Sequence, residues 1–316
     1  LPAWTAATAR ACRQRPRYLV AERGDRSIAG ILPLTEIRSP IFGKALVSAG
    51  FGTDGGVLGD AGAVASLAAA AWALAERLDI ASVELRGGPV PDAGWTVEDS
   101  TYVGFVKPLA ADDEAELQVL TRNRRATVRK ALKQGHDIRT GSSARDLADH
   151  YAVYSESVRN LGTPVFPRAL FAEVLRDFGE GADILTVVGD GEPMASVLSL
   201  YMNGVVYPYW GGSTAAGKAR LAADAMYFGV MRHAAERGCH TYDFGRSKAG
   251  TGTATYKTNW SFEPTPLSYA TRTRPGAAPR VVNPNSPKYA LQVAAWKRLP
   301  LWAANAIGPQ LSRGLG

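Results

Sequence analysis

Cysteine is scarce in this chain: Cys12 and Cys239 are the two among 316 residues. Two such residues cannot build a disulfide framework, and neither has the CxxC spacing of a metal or redox motif, so a reducing compartment, the cytoplasm, is expected. Histidine is scarce as well. His136, His150, His233 and His240 form no HExxH motif and no ligand cluster, which argues against a structural or catalytic zinc. No run reaches about 18 uninterrupted apolar residues, and no signal-peptide pattern is visible. What is present is a globular composition, 46% hydrophobic and 21% charged, on a chain long enough for about two domains. The formal charge of +7 and the pI near 9.4 favour polyanionic partners such as nucleic acid, anionic lipid heads or phosphorylated sugars.

The two halves repeat one another. LVAERGDRSIAGILPL from Leu19 aligns without gaps with LTVVGDGEPMASVLSL from Leu185, each reading as two apolar strands around a Gly/Asp turn. An Ala-rich helical stretch with an Ala-Glu-Arg triplet follows in each half, Ala75 to Arg77 and Ala235 to Arg237. A short strand comes next, SVELRGG from Ser82 and TYDFGRS from Thr241, with Glu84 and Asp243 in equivalent positions. Hairpin, helix and strand in the same order twice indicate a duplicated α/β unit.

Hydrophobic patterning in the first half predicts strands at about Tyr18 to Arg23, Ile28 to Ile37 and Ala45 to Ser48, and a helix from about Ala61 to Leu78. In the second half it predicts helices at Asp112 to Gln134, Ala144 to Asn160 and Arg168 to Phe178. Strands at Ile184 to Gly189, Met194 to Met202 and Val205 to Trp210 follow, then a helix from Leu221 to Arg237. After Arg274 the run PGAAPRVVNPNSP marks a linker or surface strap. Beyond it, KYALQVAAWKRLPLWAANAIGPQL from Lys288 reads as an amphipathic helix that Pro300 breaks or kinks, with an apolar stripe of Leu291, Ala294, Ala295, Leu299 and Trp302 beside Lys297 and Arg298. Docking of this tail onto its own domain is expected; attachment to a membrane surface is the alternative.

Three constellations carry chemistry. In the segment from Thr241 to Pro264, a strand empties into a loop with Gly245, Gly250 and Gly252 that brings Asp243, Arg246, Lys248 and Lys257 within a short span. Such a set can bind an anion, orient an amine or stabilise an oxyanion; a solvated loop with ordinary surface charges is the plain alternative. Glycines there suit a backbone that must come close to something. Second, TRNRRATVRKALKQG from Thr121 is a cationic helix placing Arg122, Arg125, Arg129 and Lys133 on one face, suited to phosphates or tRNA unless that face is merely solvated. Third, Tyr207, Tyr209 and Trp210 stand at a strand end before glycines and a helix start, where they line a pocket or pack between sheet and helix. Alternation puts Tyr207 and Tyr209 on one face with Val206 and Pro208 behind.

Taken together, DFGRS, the run GTGTATYKTNWSFEP and the helix RNRRATVRKA resemble the FemAB-type peptidoglycan bridge transferases, and most of all the FemAB-related proteins of exosortase and exopolysaccharide systems. The tail AAWKRLPLWAANAIGPQLSRGLG is similar to that group as well, so the resemblance spans nearly the whole chain. It implies an α/β fold of two tandem GNAT-like domains with a C-terminal helical tail. The expected division is 1–105, 106–274 with the active site, and 275–316 as strap and tail. It further implies transfer of an aminoacyl group from aminoacyl-tRNA to a cell-envelope or polysaccharide precursor, without a tightly bound cofactor. Lys257 matches the lysine of the family's Phe/Tyr-Lys motif beside the acyl carbonyl, where an ammonium stabilises the oxyanion; a surface strand lysine is the alternative. Asp243 then orients Lys257 or the attacking amine, or pairs with Arg246. Tyr256 precedes the lysine, and Asp54, within FGTDGG, is either an acceptor-binding or a turn residue. Arg246 stands where the peptidoglycan enzymes have a glycine, which opens the identity of the substrate.

Related GNAT enzymes use an acyl-coenzyme A held by an Arg/Gln-x-x-Gly-x-Gly/Ala loop. Here Thr214 to Ala219, TAAGKA, keeps Gly217 and Ala219 but begins with threonine. An acyl-CoA N-acyltransferase on the same fold and a noncatalytic binding protein of an envelope assembly are the rival expectations. Location at the inner face of the membrane goes with the tail's second reading.

Overall fold

The computed structural model describes residues 1–39, 42–91, 94–277 and 290–315. In chain order the first part holds α1 (Pro2–Cys12), β1 (Arg15–Glu22), β2 (Ile28–Ser39), β3 (Gly43–Ser48), β4 (Leu58–Gly59), α2 (Ala63–Arg77), β5 (Ser82–Arg86) and β6 (Thr96–Glu98). There follow β7 (Tyr102–Pro108), α3 (Asp113–Val119), α4 (Arg122–Leu132), β8 (Asp137–Gly141), α5 (Ala144–Leu161), α6 (Arg168–Phe178), β9 (Ala182–Gly189), β10 (Glu192–Met202) and β11 (Val205–Ser213). The rest comprises α7 (Ala215–Ala219), α8 (Ala222–Glu236), β12 (Thr241–Lys248), α9 (Gly252–Thr258), β13 (Pro264–Pro266), β14 (Tyr269–Thr273), α10 (Ala290–Lys297) and α11 (Leu301–Ser312).

Two compact units result. One comprises Leu1–Tyr102 with the described residues of Pro266–Asn285 and of Pro309–Gly316; the other comprises Val103–Thr265 with those of Ser286–Gly308. Residues 266–274, expected with the second domain, therefore lie in the first unit. The reason is β14, which pairs antiparallel with β5 from Tyr269↔Arg86 to Thr273↔Ser82 and with β6 on its other edge. The Pro-rich strap is outside the described residues over 278–289.

Each unit is built around one mixed sheet, β1-β2-β3-β5-β14-β6 in the first and β13-β7-β12-β11-β10-β9-β8 in the second. The duplication is visible in the pairing. The hairpin β1–β2 corresponds to β9–β10, β3 to β11, α2 to α8 and β5 to β12. In both units the strand after the helix returns parallel to the strand before it, at Leu46↔Val83 and Val47↔Glu84 and at Val205↔Thr241 and Val206↔Tyr242. The right-handed crossover preference makes the intervening helix cover one sheet face. Leu32, Leu34, Leu46, Leu67, Ala71 and Leu85 fill the first core, and Leu185, Val197, Val206, Phe228, Tyr242 and Trp260 are among those filling the second.

Local signals set the helix ends. Ser143 and Asp146 form a reciprocal capping box on α5, and Gly162 ends that helix in the left-handed region at φ 83°. The single helix expected over Asp112 to Gln134 is instead two, α3 and α4. Leu120 is extended and buried, and the Thr121 hydroxyl accepts from the Arg124 amide at 3.4 Å, starting a new helix.

Candidate active site

Beyond Val206↔Tyr242 no further pairing joins β11 to β12 among the described residues, although β11 runs on to Ser213 and β12 to Lys248. Parallel strands that part in this way expose backbone groups and side chains on both lips. A bulge reshapes one lip: the register passes from Leu198↔Trp210 to Ser199↔Pro208, leaving Tyr209 opposite no residue of β10. The simple alternation expected for Tyr207 and Tyr209 is thereby broken. Val206 and Trp210 are buried, while Tyr207 and Tyr209 are half-buried. Trp210 stands edge-on to Phe171 at 5.3 Å and to Tyr209 at 4.6 Å, so it packs between sheet and helices. Tyr207 and Tyr209 stay at the lip.

The other lip carries the charged residues. Tyr242 and Phe244 on β12 are buried, Asp243 between them is half-buried, and Gly245 turns the strand at φ 68°. The Asp243 carboxylate accepts from the Gly245 amide at 2.8 Å, fixing that turn. The expected close approach at Gly245, Gly250 and Gly252 is not what these glycines provide: nothing lies within 4 Å of a Cβ built on any of them. At Gly245 and Gly250 the positive φ is the reason for glycine.

Lys257 is brought onto this lip by α9, a helix rather than a loop or strand. Thr251 caps it, accepting from the Ala254 amide, and buried Ala254 and Trp260 anchor it. The Lys257 Nζ donates to the Arg246 carbonyl at 3.0 Å and lies 5.3 Å from the Phe105 ring centre and 5.2 Å from that of Phe244. Burial against these rings pushes its pKa down to about 8, while the Asp243 carboxylate pulls the other way. Near pH 7 the charged form still dominates by roughly tenfold. Lys248 is lowered too, by burial and then by the Arg246 charge.

Beneath α9 lies a residue that helix-face spacing does not single out. Arg124 forms an ion pair with Asp224 of α8, both largely buried, and its guanidinium stacks 4.9 Å from the Tyr256 ring centre and 5.5 Å from that of Trp260. Burial raises the Asp224 pKa, and the Arg124 charge opposes that. Burial likewise raises Tyr256, whose hydroxyl has no hydrogen-bond partner among the described residues. Arg124 thus fixes the helix that carries Lys257.

The cationic face of α4 divides. Arg125 turns back to the end of α3, donating to the Gln118 side chain at 2.6 Å and to the Gln118 and Leu120 carbonyls, and Arg129 pairs with Glu114 at 2.7 Å. Arg122 and Lys133 are exposed. The TAAGKA turn is a closed helical turn. The Thr214 hydroxyl accepts from the Gly217 amide at 3.0 Å, the Thr214 carbonyl from the Lys218 amide, and the Glu156 carboxylate from the Ala215 amide at 2.9 Å. Gly217 is required for another reason than phosphate, because a Cβ there would lie 2.2 Å from the Met194 carbonyl oxygen.

In the first unit the corresponding place is filled by the unit itself. The Gly55 amide donates to the Arg86 carbonyl at 2.8 Å, the buried Arg86 guanidinium to the Gly52 carbonyl at 3.0 Å, and a Cβ on Gly56 would lie 2.1 Å from the Gly87 carbonyl oxygen. Asp54 belongs to this loop. Its carboxylate accepts from the Gly55 amide and rests on Gly87, contacts that hold the turn. Glu84, the counterpart of Asp243, is paired with Arg86 at 2.6 Å.

Residues 121–258 match the family model described as an acetyltransferase (GNAT) domain. Among solved structures the chain is similar to the crystal structure of FemX, with 15% identity, a TM-score of 0.66 and coverage of 85% of this chain and 90% of that one. It is also similar to the C-terminal domain of a putative lysylphosphatidylglycerol synthetase from Agrobacterium fabrum, with 13% identity, a TM-score of 0.57 and coverage of 85% and 87%. A tandem GNAT protein from the clavulanic acid biosynthesis pathway gives 15% identity, a TM-score of 0.54 and coverage of 88% and 89%. None of the curated protein sequences matches the chain. Fold and domain together define an acyltransferase built from two tandem GNAT-like units. Among the described residues there is no group of side chains suited to a metal ion, and no helix is long and apolar enough to cross a membrane.

Proposed function

We propose that the protein moves an aminoacyl group from aminoacyl-tRNA onto an amine or hydroxyl of a cell-envelope or exopolysaccharide intermediate, with the second unit as the catalytic one. The observation carrying this reading is the Lys257 ammonium, held at 3.0 Å from the Arg246 carbonyl between the Phe105 and Phe244 rings. A fixed, partly desolvated cation suits the oxygen of a tetrahedral acyl intermediate. The acceptor nitrogen or oxygen attacks the ester carbonyl carbon, the carbonyl oxygen takes the negative charge beside Lys257, and the acyl–oxygen bond to the ribose then breaks. The proton lost by the acceptor ends on the departing ribose oxygen. Asp243 supports the charged form of Lys257. Arg246, Lys248, Tyr207, Tyr209 and Tyr256 are proposed to border the substrates, and Trp210 supports Tyr209 from behind. Exposed Arg122 and Lys133, with Arg129 nearby on the same helix, suit the phosphates of a tRNA.

The similarity to FemX and to a putative lysylphosphatidylglycerol synthetase supports an envelope acceptor. The GNAT family match favours the second reading, an acyl-CoA donor. Against it stands the TAAGKA turn, whose Ala215, Gly217 and Lys218 amides already have protein partners. The GNAT match leaves nothing specific in favour of a noncatalytic assembly protein. Full-length protein offered labelled aminoacyl-tRNA or labelled acyl-CoA with a lipid-linked envelope precursor fraction distinguishes the donors. Label reaching the precursor from tRNA is the expected result, and transfer from acyl-CoA alone overturns the reading.

A further inference from the structure

Charge is distributed very unevenly along the chain. From Pro264 to Gly316 there are seven Arg and Lys and no Asp or Glu, so the whole net charge of +7 falls in this last stretch. Within the second unit the tail's inner side is well seated. Val293 packs on Gly162, the Arg159 guanidinium donates to the Lys297 carbonyl, the Asn305 amide donates to Ser155, and Ala303 and Ala304 are buried.

The stripe expected to dock faces outward instead. Leu291 is 86% and Trp302 76% exposed, and Ala294, Ala295, Lys297 and Arg298 are exposed with them. Docking uses Val293, Ala303 and Ala304, because the small residues permit close approach and leave the larger apolar groups outside. An outward Leu and Trp beside two cations, on a segment without one acidic side chain, is an arrangement water does not favour. An anionic bilayer surface satisfies both parts of it: the headgroups take the cations, and the acyl boundary takes the Trp ring and the Leu.

We infer that the outer face of α10 and the start of α11 dock on anionic lipid membranes, with Leu291 and Trp302 entering the interface and Lys297 and Arg298 meeting the headgroups. Nothing in this depends on which acyl donor is used. The test is flotation of the full chain with vesicles of phosphatidylcholine alone and of phosphatidylcholine with phosphatidylglycerol, at low and high salt. Binding to the anionic vesicles only, reduced by salt, is expected. Lys297→Gln with Arg298→Gln should weaken it by about fivefold for each charge removed. Leu291→Ser with Trp302→Ser should weaken it by about tenfold or more. These side chains are exposed, so the thermal unfolding of each variant should match the parent and separate lost binding from lost folding. Absence of flotation at low salt overturns the inference, as does flotation unchanged in the Leu291→Ser, Trp302→Ser variant. Self-association of the parent that the same substitutions abolish would assign the face to a second copy and overturn it equally.

Discussion

The Glu156 carboxylate accepts a hydrogen bond from the Ala215 amide at 2.9 Å, at the first amide of the turn that would hold a coenzyme A pyrophosphate. A carboxylate and a pyrophosphate cannot share one amide without strong like-charge repulsion. Coenzyme A should therefore leave the melting temperature of the protein unchanged, because a ligand that does not bind the folded state cannot stabilise it. Glu156→Gln lifts the repulsion and costs about 1 kcal/mol or less, the hydrogen bond being at the surface. A clear upward shift of the parent's melting temperature with acetyl-CoA would defeat the expectation.

Lys257 supplies a pH signature. As an oxyanion donor it must be charged, so kcat/KM should fall above about pH 8, where burial sets its pKa. Lys257→Ala should lower kcat by about a hundredfold, the effect of losing one such donor. Lys257→Arg, which cannot deprotonate, should erase the alkaline limb even if its rate is low. Stability follows the opposite course. The folded pKa of about 8 lies below the ordinary 10.5, so the unfolded chain binds more protons between them and the parent gains stability as pH rises through that window. A Lys257→Met variant should show no such gain; an unchanged alkaline limb in Lys257→Arg would remove Lys257 from the chemistry.

The Arg124–Asp224 pair should prove a support for α9. Asp224→Ala leaves a largely buried guanidinium unpaired and should cost about 3 kcal/mol. Arg124→Met with Asp224→Leu should recover much of that stability, while kcat stays low because Tyr256 and Trp260 lose the cation above them. Full activity in the refolded double variant would show that Lys257 is positioned without it.

Local pattern revealed the repeat because each copy opens with apolar strands around a Gly/Asp turn, and β9 and β10 are apolar enough to read directly. The charged residues crowded between Thr241 and Pro264 singled out Lys257 and Asp243 as candidates, and β12 and α9 bring the two within electrostatic reach of one another. Local pattern missed β14, since a five-residue strand carries no information about which distant strand it joins, and its partner β5 lies far back in the chain. It missed α1, whose PAWTAATARAC has no clear apolar periodicity. Arg124 escaped for a related reason: spacing along α4 singles out Arg122, Arg125, Arg129 and Lys133, whereas the significance of Arg124 depends on Asp224, 100 residues away. Gly217 fitted a phosphate loop by spelling, yet the close Met194 carbonyl is what demands glycine there.

His150 should make the second unit sensitive to acid. Its ring is fully buried, stacked on Tyr154 at 5.7 Å and edge-on to Phe171 at 5.2 Å, with Nδ1 3.1 Å from the Ser196 hydroxyl and that hydroxyl 2.9 Å from Thr186. Nε2 has no hydrogen-bond partner among the described residues. A charge there would be surrounded by aromatic carbon, and burial alone holds the pKa down to about 3 from an ordinary 6.5. The unfolded chain therefore binds the extra proton first. Stability from this site is complete above about pH 6.5 and falls as pH drops toward 3, with a slope approaching about 1.4 kcal/mol per pH unit. His150→Gln removes the titration but also disturbs the ring packing, so it should be less stable than the parent near pH 7, by about 1 to 3 kcal/mol. Below pH 5 the two unfolding curves should converge or cross. Denaturant unfolding of both proteins across this range, followed by the fluorescence of the second unit's tryptophans, provides the measurement; curves that stay parallel would mean that His150 is already charged in the folded protein.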